Sequence, residues 1–104
     1  MTAKPDGFPV DDYVVDVLLR DLVGHDRCAA AFLVYLMLWK LTRGERKESV
    51  RLSHRDLAEL SGLSKSAVQQ ALRILHRRKL VISKRQRDTD TPEHEVRRTW
   101  VREG

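Results

Sequence analysis

One cysteine, Cys28, stands among 104 residues. A single thiol closes no disulfide framework and completes no all-cysteine zinc site. Long apolar runs are also missing. The longest, Cys28 to Trp39, has 12 residues, short of the ~20 that cross a bilayer. The Met-Thr-Ala-Lys-Pro start lacks the apolar stretch of a secretory signal. There is no Gly-rich phosphate loop, no Ser/His/Asp grouping and no paired-carboxylate arrangement, and the 4 histidines are scattered. His25 and Cys28 have H-x-x-C spacing with no second pair to complete a metal site. These absences predict no catalytic residue, metal, cofactor, small-molecule ligand or membrane span. A small, cytoplasmic binding protein is left.

What is present is charge, and it is segregated. The total is +5, from 20 Lys and Arg against 15 Asp and Glu. Residues 1–26 carry six Asp against Lys4 and Arg20, a net of −4, and residues 27–61 sum to +3. From Gly62 to Arg87 there are eight Lys or Arg and no acid at all; residues 88–104 return to −2. A 26-residue stretch without a carboxylate reads either as a solvated basic face or as the footprint of a polyanion partner, since cations near phosphates supply most of the affinity for nucleic acid; charge alone does not decide between them.

The chain reads as one small α+β unit, with an N-terminal helical extension over 1–25 and the main domain over 26–104. Residues 1–9 form a flexible lead-in containing Pro5, Gly7 and Pro9. Apolar residues at 10, 14, 17, 18 and 22 predict a helix from Val10 to Val23, closed by Gly24. Asp26 is placed to cap a second helix from Arg27 to about Arg43, ending at Gly44 and apolar almost all round. A short strand at Val50-Arg51-Leu52 precedes Ser53, an N-cap with Asp56 three residues on. A third helix then runs from His54 to Leu60 and a fourth from Lys65 to about Lys79. In the fourth, Val68, Ala71, Leu72 and Leu75 form one buried stripe. Leu80 to Lys84 and Glu95 to Val101 pair as a hairpin around a loop marked by Asp88, Asp90 and Pro92. Cys28, Trp39 and Trp100 are assigned to packing.

The stretch from Leu57 to Ser64 carries the mechanics of two helices crossing steeply within a three-residue turn. Ala58 is small where the second helix passes over it, and Gly62 supplies the positive φ that reverses the chain. Leu63 and Val68 close the wedge, and Ser64 satisfies free N–H groups at the next helix start.

With a short strand before it and a basic hairpin after it, this segment resembles a winged helix-turn-helix domain. Leu57-Ala58-Glu59-Leu60-Ser61-Gly62-Leu63-Ser64, continuing to Leu75, is similar to the motif of GntR-type regulators, and Arg78-Lys79-Leu80-Val81 to their step into the wing. The preceding Val34-Tyr35-Leu36-Met37-Leu38-Trp39 resembles replication-initiator domains of bacteria and phages.

The resemblance implies a recognition helix, residues 64–79, in the major groove of double-stranded DNA. Gln69, Gln70, Lys65 and Arg73 would read base edges. Ser64 and Ser66 stand at the helix start, and Arg77 is placed for phosphate. Lys84, Arg85 and Arg87 would line the wing, and His54 and Arg55 would add phosphate contacts. Asp88, Asp90, Glu93 and Glu95 would repel DNA if they stood at the wing tip.

The function so implied is sequence-specific DNA binding by a transcriptional regulator, working as a homodimer through residues 10–41. Val10 to Val23 either pairs two copies or covers the domain's own core. The alternatives are the origin-binding module of a replication initiator and a winged helix whose basic face meets an acidic protein.

Overall fold

An N-terminal helix, three further helices and a three-stranded sheet share one core. A computed structural model describes residues 6–102, so the expected lead-in at residues 1–9 falls within the described residues only from residue 6. The chain enters through a helical segment over residues 12–25, most of it in two π-type stretches, Val14–Leu18 and Asp21–His25. Val14, Leu18 and Leu22 drive its inner stripe into the core. Gly24 does not close this helix; it lies inside the second π stretch. The reversal falls at Arg27, which takes up φ 53°.

Helix α1, Ala29–Leu41, is the central pillar and buries Ala31, Val34, Tyr35, Leu38 and Trp39. It begins later than expected, after Cys28 and not Asp26, because the Asp26 carboxylate is occupied by Arg78. It also ends earlier. Gly44 sits in a 3₁₀ turn, Arg43–Glu45, and Arg46 makes the left-handed bend at φ 58°. Gly44 instead lies against Phe8: a Cβ there would sit 3.2 Å from Phe8 Cβ, closer than ordinary van der Waals contact, so a side chain at 44 needs Phe8 to give way. The two polar atoms that α1 carries inward are satisfied at long range. Tyr35 donates to the Arg97 carbonyl at 2.9 Å and Trp39 Nε1 to the Pro9 carbonyl at 2.9 Å.

Strand β1, Val50–Arg51, leads into helix α2, His54–Ser61, through the expected capping box. The Ser53 hydroxyl accepts from Asp56 N–H at 3.0 Å while the Asp56 carboxylate accepts from Ser53 N–H at 3.0 Å. Helix α3, Lys65–Arg77, starts at Ser64, whose hydroxyl accepts from Ala67 N–H at 3.1 Å. It stops two residues before the expected end in a Schellman arrangement. Lys79, at φ 60°, donates its N–H to the His76 carbonyl, and Leu80 donates to that of Leu75.

Strands β2, Val81–Lys84, and β3, Glu93–Val96, form the hairpin. The antiparallel sheet has the order β1-β3-β2, with Ser83 opposite His94 and Lys84 opposite Glu93. The architecture is a winged helix-turn-helix, α+β as expected. The returning strand does not reach Val101. It gives way to a turn at residues 99–100, where Trp100 stacks on Tyr13 at 4.5 Å between ring centroids and on Trp39 at 6.4 Å. Trp100 Nε1 donates to Asp11 at 3.0 Å. Cys28 is buried, as assigned.

Candidate nucleic-acid interface

Local rules set the pose of α3. Gly62, at φ 80°, caps α2 by donating to the Ala58 carbonyl at 2.9 Å, and Leu63 and Ser64 then start α3 at a steep angle. Val68, Ala71, Leu72, Ile74 and Leu75 are buried. Lys65, Ser66, Gln69, Gln70, Arg73, His76 and Arg77 are all exposed. At about 100° per residue those seven fall within an arc of about 140°. One open face therefore carries every base-reading candidate, and it holds no acid.

The cations of the molecule divide by partner. Arg78 is held by Asp26 and Asp21, Arg97 by Glu95, Arg98 by Asp11, and Arg55 by Glu59 at 3.4 Å. Lys65, Arg73 and Arg77 have no carboxylate partner among the described residues, and the same holds for Lys84, Arg85 and Arg87. The open face of α3 is thus left as uncompensated positive charge, whereas Arg78, Arg97, Arg98 and Arg55 are engaged by carboxylates.

Three elements meet at one end of this face. His54 opens α2, Lys65 opens α3 and Arg85 leaves β2. Burial pushes the His54 imidazole below its ordinary value, and the charges of Arg85 and Lys65 push it further. The charges of Arg85 and Lys65 both reach the His54 imidazole, so these two cations flank the start of α2 while the histidine is held toward its neutral form. Arg55, on the same helix end, is exposed but engaged with Glu59.

The wing separates its candidates. Alternation along β2 turns Val81 and Ser83 inward and leaves Ile82 and Lys84 exposed. Arg85 continues the inward parity toward α2, whereas Lys84 lies on the outer face opposite Glu93. Arg85 Nη1 donates to the Asp88 carbonyl at 3.0 Å, and the Arg87 N–H donates to the Asp90 carboxylate at 3.0 Å, tightening the loop. Of the four acids assigned to this loop, Glu93 and Glu95 belong to strand β3 instead. Glu93 accepts from the Ser49 hydroxyl at 2.6 Å and Glu95 from Arg97 at 3.1 Å. Only Asp88 and Asp90 remain in the tip.

A hydrogen-bonded chain behind the interface, running from buried His94 to exposed His76, was not legible from spacing. His94 Nε2 donates to the Leu52 carbonyl at 2.9 Å, leaving Nδ1 to accept the Ser83 hydroxyl at 2.7 Å. That hydroxyl accepts from His76 Nε2 at 2.7 Å. The chain links the last turn of α3, both wing strands and the segment before α2. Its one sequence signal is a histidine at the inward parity of β3, two residues before the apolar Val96. Burial pushes His94 and His76 below the ordinary histidine value. Among the described residues no three metal-ligating side chains come together, and no helix is long and apolar enough to cross a membrane.

Comparison with protein families matches residues 29–91, from the first residue of α1 into the wing loop, to a Crp-like helix-turn-helix domain. The motif alone had suggested the GntR type; the match places the same winged helix-turn-helix under a Crp-like heading. No curated protein and no solved structure matches the chain.

Proposed function

The chain belongs to the Crp-like helix-turn-helix domain family, a DNA-binding fold, and on that premise we propose that it binds double-stranded DNA sequence-specifically as a cytoplasmic transcriptional regulator. It acts by binding, not by catalysis. The observation that supports this reading most directly is the open face of α3, where Lys65, Arg73 and Arg77 stand without carboxylate partners beside Gln69 and Gln70.

Docked in the major groove, that face offers amides for adenine and cations for guanine. Gln69, Gln70, Lys65 and Arg73 read bases. Ser64, Ser66, Arg77, His54 and Arg55 contact phosphate, and the first N–H groups of α3 add a partial positive charge at its start. Arg85 and Arg87, with Lys84 at the outer edge, hold the flanking phosphates or enter the minor groove. Regulation follows from occupancy of the site. Two copies on half-sites about one helical turn apart would give the affinity that a single small module lacks.

Selection from a pool of randomised duplexes tests this reading. A consensus should emerge, and Gln69→Ala or Gln70→Ala should relax it at one or two adjacent positions without abolishing binding. A pool that returns no consensus after repeated rounds contradicts sequence-specific reading.

A further inference from the structure

Just past the end of α3 the chain doubles back around a cleft. The Arg97 N–H donates to the Leu80 carbonyl at 2.8 Å, tying the segment after β3 to the residue before β2. A turn follows, closed by the Val101 N–H on the Arg98 carbonyl at 3.1 Å. Between this turn and the end of α3 lies a cleft of about 470 Å³, within the size range of small-molecule sites. Val81, Ile82 and Val101 supply its apolar lining, and Lys79, Arg97 and Thr99 most of its polar lining. It sits at the base of the wing, where Val81 pairs with Val96, at the other end of the hairpin from Asp88 and Asp90. None of the base-reading candidates on α3 lines it. Spacing in the chain predicts no such site, because residues 76–82 and 97–101 are brought together only by the hairpin.

Charge selects what the cleft can hold. No Asp or Glu lines it. Lys79 is exposed and has no carboxylate partner among the described residues. Arg97 donates through Nη1 to Glu95 at 3.1 Å, which occupies one of the five donors of a guanidinium. The Thr99 hydroxyl is exposed and makes no hydrogen bond to a described residue. A larger cleft at the end of α1 sets Arg43, Arg46 and Lys47 against Asp11, Glu48 and Glu95, so its charges balance. The cleft at the wing base has no such balance. Cationic and hydroxyl donors stand there beside apolar surface, with Ile82 36% exposed. A cation would be repelled, and a wholly polar anion would leave the apolar lining uncovered. The lining fits a ligand with an anionic head and an apolar body.

We propose that this cleft binds a small organic carboxylate with an apolar body of several carbons. Lys79, Arg97 and Thr99 hold the head, and the body lies on Ile82 and Val101. The site is separate from the open face of α3, so the proposal stands or falls apart from the DNA-binding reading.

Octanoate, titrated into isotope-labelled protein and followed through its amide resonances, tests it. Amides of residues 79–82 and 97–101 should shift saturably, with a Kd below about 1 mM. Those of Val15, Leu19 and Val23, an exposed apolar surface elsewhere, should stay in place. Octanol lacks the charge and should bind at least about tenfold more weakly. Lys79→Gly removes the cation and Thr99→Glu places a carboxylate in the cleft. Both positions are exposed, so far-UV circular dichroism should be unchanged. Each variant should weaken octanoate binding at least about fivefold. No saturable shift up to about 5 mM octanoate would overturn the proposal. So would shifts centred on the N-terminal helix, equal affinity for octanoate and octanol, or variants that bind as the wild type does.

Discussion

The Arg78 guanidinium grips the Asp26 carboxylate through two parallel hydrogen bonds, Nε to Oδ2 at 2.5 Å and Nη2 to Oδ1 at 3.0 Å. Side-chain exposure is 27% for Arg78 and 8% for Asp26, so the pair is largely shielded from water. It ties the end of α3 to the joint between the N-terminal helix and α1. The hydrogen bonds from Arg78 hold the Asp26 carboxyl below its ordinary value. Asp26→Ala and Arg78→Ala should each cost about 1.5–3 kcal/mol, as charge-assisted hydrogen bonds do. The double variant should cost less than the sum of the two. Urea denaturation of the four proteins of the cycle measures this, and additive losses would show that the pair contributes nothing of its own.

Arg73 makes the opposite prediction. It is exposed, unpaired and at the centre of the open face of α3. Arg73→Ala should leave the melting temperature nearly unchanged but cost about 1–3 kcal/mol of affinity for the selected duplex. Arg78→Ala should do the reverse, lowering stability while the folded fraction binds with wild-type affinity.

Lys79 holds φ 60°, a conformation that costs a residue with a Cβ about 1–2 kcal/mol. Glycine adopts it freely, at an entropic cost to the unfolded chain of about 0.5–1 kcal/mol. Lys79→Gly should therefore stabilise the protein by up to about 1 kcal/mol. Thermal unfolding reads the sign, and a lower melting temperature would show that the lysine side chain contributes more than its backbone costs.

Stability should fall on mild acidification. His54, His76 and His94 all sit below the ordinary histidine value, burial being the first cause for each. A depressed histidine binds its proton more readily when unfolded, so the stability it contributes is fully present above about pH 6.5 and is lost as pH falls toward the folded-state value. The melting temperature should drop between about pH 7.5 and 5.5. His94→Gln should be less stable at neutral pH and show a shallower drop. An equal drop in that variant would place the effect elsewhere.

Local chemistry was legible in the sequence wherever neighbours in the chain decide the outcome. The Ser53–Asp56 capping box, the Gly62 turn, the Ser64 cap and the buried stripe of α3 all depend on spacings of a few residues, and all are found. Polar residues with a distant competing partner were not legible. Asp26 has the chemistry of a cap, but Arg78 offers a stronger bond from 52 residues away. Glu93 and Glu95 looked like a repulsive wing tip because the strand boundary could not be placed from Pro92 alone. Trp100 leaves its expected strand because Tyr13 and Trp39 provide a stacking surface from the other end of the chain. Gly24 and Gly44 read as helix stops in the sequence, yet the chain turns at Arg27 and Arg46, both in left-handed conformations that sequence gives no reason to expect of arginine.

If the open face of α3 binds the phosphates and bases of double-stranded DNA, fluorescence anisotropy across a salt series will register it. A labelled duplex of about 30 base pairs is titrated with the protein from about 50 to 250 mM salt, where each phosphate contact contributes about −0.9 to the log–log slope. The expected slope is equivalent to several contacts, reduced by about one in Arg77→Ala and unchanged in Arg78→Ala. No binding at the lowest salt, or a slope that ignores Arg77, would contradict it.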